Sequence, residues 1–261
     1  MQSNLRSIHP KAIIGKHVEI GPFVTIEEDV IIGDHCTIKP NAVIMKGTRL
    51  GHHCEVFPGA IIGADPQDLK YDGEYTTLEI GNHTTIREYC TINKGTIASG
   101  KTVIGNHVML MAYVHIAHDC IIGNHAILSN CVNLAGHVEI ADHAILGGLV
   151  AVHQFVKIGR YSFVGGGSLV RKDVPPFIKA SKEPLTYLGV NSIGLKRKGF
   201  ANERIHIIED MYRVLFVKHS NNTKAVEEIA DSFEMSEDRN DILDFVNGSE
   251  RGIIKGLKYA S

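Results

Sequence analysis

The sequence predicts a parallel β-helix followed by a small helical region, and three observations carry this prediction. An aliphatic residue recurs at every sixth position over most of the chain. Glycine and small residues recur at fixed places between these positions, and near residue 200 the period becomes helical. One short strand and its corner take about six residues, three such units close a coil, and coils stack at roughly 4.8 Å.

The aliphatic series runs in steps of six from Ile8 to Val170. Of its 28 positions, 25 are Ile, Leu or Val, and the exceptions are Asp68, Glu74 and Ala98. The residue after each aliphatic position is often glycine, which we interpret as a turn that needs an unusual backbone conformation. Stacked at the strand spacing, residues 8–170 predict about nine coils in a rod roughly 40–45 Å long.

Composition excludes several functional classes. The chain has 261 residues, a hydrophobic content of 44% and a net charge of −2, so nothing global favours nucleic acid or an anionic membrane. It lacks a signal-peptide pattern and any uninterrupted apolar run of about 18 residues, which predicts no membrane span. Five cysteines without a CxxC motif indicate a reducing compartment, so we expect a cytoplasmic protein.

The repeat also separates ordinary positions from informative ones. Four cysteines lie four places after an aliphatic position, where small core residues are expected: Cys36, Cys54, Cys90 and Cys120. Eight of the 15 histidines lie three places after one, as expected for exposed corners: His17, His35, His53, His83, His107, His125, His137 and His143. His115, His118 and His153 depart from this phase and are therefore candidates for function.

Two segments, 64–79 and 95–102, interrupt the repeat, and loops that leave a rigid rod often carry binding groups. Pro175 and Pro176 are expected to end the rod, because proline cannot serve a central sheet ladder. We predict three parts: a β-helix over 1–175, a basic connector over 176–200 and a helical domain over 201–261. The helical domain should begin with Asn202 as N-cap and include helices near 223–234 and 238–247.

The segment His115-Ile116-Ala117-His118-Asp119-Cys120 is the strongest candidate for chemistry. A carboxylate beside a histidine can fix its tautomer and raise its basicity, which suits a general base. Zinc is the alternative, since repeat histidines on adjacent coils can converge. No serine or cysteine is placed as an evident nucleophile, which favours direct group transfer.

The chain resembles the UDP-N-acetylglucosamine O-acyltransferases that begin lipid A biosynthesis. The matching segments are DPQDLKY (65–71), IREYCTINKGT (86–96), HIAHDC (115–120), NLAGHVEI (133–140), AVHQF (151–155), VRKDVPPF (170–177) and GVNSIGLKRKGF (189–200). The resemblance implies a left-handed β-helix, a homotrimer with active sites between subunits, and no cofactor or metal. It implies transfer of a 3-hydroxyacyl group from acyl carrier protein to the glucosamine 3-hydroxyl of UDP-N-acetylglucosamine.

The resemblance also implies residue roles. His118 would be the general base, Asp119 its orienting partner, and the Gly136 N–H an oxyanion donor. Substrate contacts would come from Gln67, Asp68, Lys70, His115, His137, His153, Gln154 and Asn191. Arg197 and Lys198 would meet nucleotide phosphates or the acidic carrier protein. Gly166 occupies the position that measures acyl length, where a glycine favours a long chain.

The chain departs from this family's pattern at two places. Asn93-Lys94 stand where well-known members carry His-Arg, and Ile193 replaces an expected acidic residue. The first difference leaves the acceptor, hydroxyl or amine, open. The alternatives are therefore a related N-acyltransferase acting on an amino-sugar nucleotide and a zinc β-helix of the carbonic anhydrase type.

Overall fold

The computed structural model describes residues 5–219 and 221–256. Its strands are short, mostly of two residues, and they form three sheets, called A, B and C, that the chain visits in turn. Sheet A contains β1 (Ser7–Ile8), β4 (Thr25–Ile26), β7 (Val43–Ile44), β10 (Ile61–Ala64), β13 (Thr91–Asn93), β16 (His115–Ile116), β19 (Asn133–Leu134), β22 (Ala151–Val152) and β25 (Leu169–Val170).

The other two sheets complete the coil. Sheet B contains β2 (Ile13–Ile14), β5 (Ile31–Ile32), β8 (Thr48–Leu50), β11 (Thr77–Ile80), β14 (Lys101–Ile104), β17 (Ile121–Ile122), β20 (Glu139–Ile140) and β23 (Lys157–Ile158). Sheet C contains β3 (Glu19–Ile20), β6 (Thr37–Ile38), β9 (Glu55–Val56), β12 (Thr85–Ile86), β15 (Met109–Leu110), β18 (Ile127–Leu128), β21 (Ile145–Leu146), β24 (Phe163–Val164), β26 (Ile178–Ser181) and β27 (Thr186–Val190). All pairs except β26 with β27 are parallel, which confirms the predicted parallel β-helix.

The predicted aliphatic positions form the core of the rod. From Ile26 to Val170 they are buried, except where the repeat is interrupted. The positions four residues later are buried as well, and the four cysteines at this phase are free thiols inside the core. Each coil has three six-residue units with two inward positions apiece, and stacking them removes nearly all of this apolar surface from water, which is the main stabilising contribution.

The interpretation of the repeated glycines is wrong. Gly33 and its equivalents in regular coils do not have positive φ, whereas the residues two places later do, among them His35 at 59° and Asp119 at 60°. A Cβ built on Gly33 would lie 2.7 Å from the carbonyl carbon of Gly51 in the next coil. Glycine is therefore required there by the close approach of stacked backbones.

Both interruptions leave the rod where a sheet A strand passes to the next sheet B strand, which we call the A–B corner. A regular strand pairs with the strand that follows three repeat units later, as Ser7 does with Thr25. Ile61, however, pairs with Thr91, which follows five repeat units later, and Thr91 pairs with His115, which follows four units later. The insertions therefore add two whole repeat units in loop 65–76 and one in loop 94–100.

The prediction that Pro175 and Pro176 end the rod is wrong. Just before the prolines, Val174 makes a parallel bridge to Ile158, and after them β26 pairs in parallel with β24. The coil therefore continues to about Ser181, and the antiparallel β27 then covers its edge. The prolines lie in the corner between these bridges, where no ladder N–H is required.

The C-terminal region contains α1 (Ser192–Arg197), α2 (Asn202–Arg213), a π-helical turn (Val214–Lys218), α3 (Asn222–Ser232) and α4 (Glu237–Asn247). Asn202 is the first helical residue and not the N-cap, which is Ala201 in extended conformation. The buried Tyr212 donates from its hydroxyl to the carbonyl of Pro176 at 2.6 Å and so fixes α2 on the rod. Within the described ranges, no helix is both long enough and apolar enough to cross a bilayer.

Candidate active site

The A–B corner brings together most of the residues predicted to act in chemistry. Loop 65–76 and loop 94–100 leave this corner in successive coils. His118 and Asp119 form the same corner in the next coil, followed by Gly136 and His137 and then by His153 and Gln154. Insertions and phase breaks that are scattered along the sequence therefore form one surface.

His118 and Asp119 are a buried, hydrogen-bonded pair. Nδ1 of His118 lies 2.7 Å from Oδ2 of Asp119, and the Asp119 side chain is fully buried. The Asp119 N–H donates to Oγ1 of Thr102 on β14, which ties the turn to the preceding coil. The pair therefore has one fixed orientation, with Nε2 of His118 pointing away from the carboxylate.

The Asp119 carboxylate is ionised at neutral pH despite its burial. Burial raises its pKa, but donors from Ser99, Thr96 and His118 outweigh this effect and lower the pKa to about 2. An ionised carboxylate only accepts hydrogen bonds, so neutral His118 must carry its proton on Nδ1. Nε2 is then the unprotonated nitrogen, as a general base requires.

Gly136 and His137 pack against this pair from the next coil. A Cβ on Gly136 would lie 2.5 Å from Cε1 and 2.7 Å from Nε2 of His118, so only glycine fits beside the ring. The Gly136 N–H has no acceptor among the residues that the structure describes. The His137 ring lies edge-on to His118, stacks on Phe155, and places Nε2 3.6 Å from Oδ2 of Asp119.

The remaining predicted histidines flank the pair. His115 lies on the outer face of sheet A, where its Nδ1 is 2.8 Å from Oγ1 of Thr91. Burial lowers the pKa of His115, so it favours the neutral form. His153 is exposed, and its Nδ1 lies 3.1 Å from the carbonyl of Gln154 in the same corner.

Loop 65–76 carries Gln67, Asp68 and Lys70, all at least partly exposed at the A–B corner. The first residue of the loop, Asp65, is held by Asn93 and Lys94. Lys94 Nζ lies 2.7 Å from Asp65 Oδ1, and the Asn93 amide donates to the Asp65 carbonyl at 2.6 Å. The two residues that depart from the family pattern therefore fix where this loop begins.

His118, Asp119 and His137 could hold a metal ion, since one ligand atom from each lies within 4.8 Å of the others. The carboxylate, however, already accepts four hydrogen bonds: from the Thr96 N–H, the Thr96 hydroxyl, the Ser99 hydroxyl and His118. These fill its roughly four acceptor positions. A zinc ion would have to displace them, so the arrangement fits an orienting carboxylate better than a metal ligand.

Four predicted site residues lie elsewhere on this chain. The Asn191 amide donates to the Tyr161 carbonyl at 3.0 Å, next to the corner between sheets B and C. Arg197 and Lys198 follow at the end of α1, and both are exposed. Gly166 lies at the corner between sheets C and A, against Gly148. The structure of one chain therefore does not bring them to His118.

Sequence reasoning missed Thr96 and Ser99. Both lie in the shorter interruption, and both bond to Asp119. A signal was present, because a buried carboxylate needs donors and the interruption supplies hydroxyl groups. The path of an irregular loop, however, does not follow from the six-residue period.

The chain is similar to known proteins over nearly its whole length. Residues 11–46 and 101–136 match the family model described as bacterial transferase hexapeptide, and residues 173–254 match the second domain of UDP N-acetylglucosamine O-acyltransferase. An acyl-[acyl-carrier-protein]–UDP-N-acetylglucosamine O-acyltransferase from Sulfurihydrogenibium is 58% identical over 253 residues, which cover 94% of this chain and 93% of that protein.

Solved structures show the same likeness. LpxA of Bacteroides fragilis, a UDP-N-acetylglucosamine acyltransferase, superposes with a TM-score of 0.96 and 47% identity, covering 98% of this chain and all of that one. LpxA of Acinetobacter baumannii gives a TM-score of 0.93 and 41% identity, with 97% and 98% covered. With this identity over nearly its whole length, the chain belongs to the family of acyl-[acyl-carrier-protein]–UDP-N-acetylglucosamine O-acyltransferases.

Proposed function

We propose that this protein transfers a 3-hydroxyacyl group from the thioester of acyl carrier protein to the glucosamine 3-hydroxyl of UDP-N-acetylglucosamine, the first step of lipid A biosynthesis. The observation that supports this proposal best is the His118–Asp119 pair, in which Nδ1 of His118 faces the carboxylate and the Cε1–Nε2 side of the ring lies beside Gly136 at the A–B corner. The names of the relatives supply the two substrates.

His118 acts as the general base in this proposal. Its Nε2 takes the proton of the sugar hydroxyl while the oxygen attacks the thioester carbonyl. The tetrahedral intermediate collapses by breaking the carbon–sulfur bond, and the proton on Nε2 passes to the departing thiolate. The ionised Asp119 stabilises the transient imidazolium, and the enzyme forms no covalent intermediate.

The Gly136 N–H stabilises the oxyanion of the intermediate. Gly136 lies against the Cε1–Nε2 side of the His118 ring, and its N–H is not used by an acceptor within the described chain. A fixed donor of this kind is already oriented when the negative charge develops on the carbonyl oxygen. In this proposal the base thus acts on the attacking hydroxyl, and the N–H donor acts on the carbonyl oxygen of the same intermediate.

Substrate contacts come from the rest of the A–B corner. Loop 65–76 offers Gln67, Asp68 and Lys70 to the sugar nucleotide, and Lys70 supplies a cation for its phosphates. His115, His137, His153 and Gln154 line the same side of the rod and contact the sugar or the acyl group.

A homotrimer completes the site in this proposal. Asn191, Arg197 and Lys198 lie next to a different corner from His118, so they reach a reaction centre only on a neighbouring subunit. Residues 171–200 carry seven basic and two acidic side chains, a net charge of +5, which suits an acidic carrier protein in the cytoplasm. Gly166 has no side chain to limit the length of the acyl group at the position that measures it in this family, so a long chain is the expected donor.

The test is an acyl-transfer assay with purified protein, UDP-N-acetylglucosamine and a ladder of 3-hydroxyacyl carrier proteins, read by product mass. The expected product is a 3-O-acyl ester from a long-chain donor, and hydroxylamine should cleave it. An amide formed only from an amino-sugar nucleotide would replace this proposal with the N-acyltransferase alternative. Stoichiometric zinc required for activity would contradict it.

A further inference from the structure

Loop 94–100 closes over the buried side of the His118–Asp119 pair. It leaves the rod between β13 and β14, one coil before the pair. The loop is held from within, because the Gly100 N–H donates to the Thr96 carbonyl at 2.8 Å and the Ala98 N–H to the Thr96 hydroxyl at 3.2 Å. Loop 65–76 braces it from outside, where Oε1 of Glu74 accepts from the Ile97 N–H at 3.1 Å.

Three of the four hydrogen bonds to the Asp119 carboxylate come from this loop. The Thr96 N–H donates to Oδ1 at 2.9 Å, and the Thr96 hydroxyl donates to Oδ2 at 2.6 Å. The Ser99 hydroxyl donates to Oδ1. Only the remaining position, on Oδ2, faces His118.

These contacts fix more than the charge of Asp119. A carboxylate with one partner can rotate about its terminal torsion, which is broad and roughly two-fold. Donors on both oxygens hold the plane of the carboxylate, and the direction of the Oδ2 lone pair then sets the orientation of the imidazole. Thr96 is buried with the pair, so water cannot readily replace its hydroxyl as a donor.

We propose that Thr96 and Ser99 are positioning residues for the acyl-transfer reaction: they hold the Asp119 carboxylate and, through it, the His118 general base. The inference rests on the proposed function and extends it to a loop that does not touch the reacting atoms. It also gives loop 94–100 a role that an exposed excursion from the rod would not have.

The test removes the hydroxyl groups of Thr96 and Ser99 while changing the packing around Asp119 as little as possible. Thr96→Val keeps the side-chain shape, and Ser99→Ala removes an oxygen from an exposed residue. We expect the double variant to lower kcat by about tenfold to a hundredfold, with KM for UDP-N-acetylglucosamine within about threefold, because a small displacement of a catalytic group has effects of this size. Thr96→Ser should restore most of the activity.

The decisive measurement repeats the two substitutions in an Asp119→Ala background. If Thr96 and Ser99 act through Asp119, their removal causes no further loss of kcat there. An equal loss in both backgrounds would show a structural role and overturn the inference. Ile97→Ala, whose side chain in the same loop is 83% exposed, is the matched control and should leave kcat unchanged.

Two further outcomes are separable. If the wild-type protein shows no acyl transfer, the proposed function fails before the inference is reached. If the wild type is active and the double variant keeps its kcat, the inference alone is wrong. Should Thr96→Val not fold, Ser99→Ala carries the test, with an expected decrease of about threefold to tenfold in kcat.

Discussion

Two corners of the rod carry histidine at the same phase of the repeat, yet they are built differently. At the corner between sheets B and C, called the B–C corner, seven imidazoles stack with centroids 4.7–4.9 Å apart, and the column continues through Tyr161 to Phe177. At the A–B corner, the one described ring that stacks on His137 is Phe155, and His137 meets His118 edge-on. His125 and His137 have nearly the same φ, 57° and 60°.

Residue type and local conformation therefore do not distinguish the histidine beside the candidate active site from those of the column. The contacts with neighbouring coils make the difference. At the A–B corner these coils carry a histidine–carboxylate pair and two loops instead of another stacked imidazole. The B–C column is the regular state of the rod, and the A–B corner, which carries the candidate active site, departs from it.

The largest expected effect comes from removing the base at the A–B corner. His118→Ala should lower acyl transfer by several hundred-fold or more, about 3–4 kcal/mol at the transition state, because no other group takes the hydroxyl proton. Steady-state kinetics with saturating donor measures this loss. Retention of full activity would mean that the pair has only a structural role.

Adding one methyl group beside the base should be nearly as harmful. In Gly136→Ala the new Cβ would overlap the His118 ring, and the displaced base should cost about a hundredfold in kcat. The matched control is Gly73→Ala in loop 65–76, where a Cβ meets no neighbour within 4 Å, although φ of +84° adds strain. A near-normal kcat for Gly136→Ala would contradict the proximity of the two groups.

The third prediction concerns stability in acid. The pKa of Asp119 is about 2 in the folded protein, below its ordinary value of 3.8. The ionised form therefore stabilises the fold above pH 4, and this contribution is lost as the pH falls from about 4 to 2. Relative to Asp119→Asn, the free energy of unfolding of the wild type should decrease by roughly 2 kcal/mol over that range. Denaturant unfolding at fixed protein concentration checks it, and equal pH dependence of the two proteins would contradict it.

The smallest effects separate the two corners most directly. His137→Ala should lower kcat by about tenfold, since it removes packing beside the His118–Asp119 pair. His125→Ala should leave kcat within about twofold and cost about 0.5–1.5 kcal/mol of stability for each of its two stacked pairs, with His107 and His143. Equal decreases of kcat in the two variants would contradict the prediction that only the A–B corner affects the reaction.

The sequence predicted the coil well because one inward residue every six positions is enough to specify it. It also predicted His118 as the candidate base, because this histidine departs from the phase of the others. It did not reveal the donors on loop 94–100, whose path depends on contacts with Glu74 and Asp119. Nor did it place Ile86 and Ile92: counted in regular three-unit coils from Ile8 they belong to sheets B and C, whereas they lie in sheets C and A.

That misplacement follows from the lengths of the two insertions, which are two repeat units and one. A strand alternates its side chains between two faces, so an insertion that altered the register would turn core residues toward water. Both additions to this rod are whole repeat units, so the six-residue phase of the core is the same before and after each loop. Deleting all of loop 65–76 should therefore leave the stack intact while removing the loop proposed to contact the sugar nucleotide, and a deletion that is one residue shorter should be less stable.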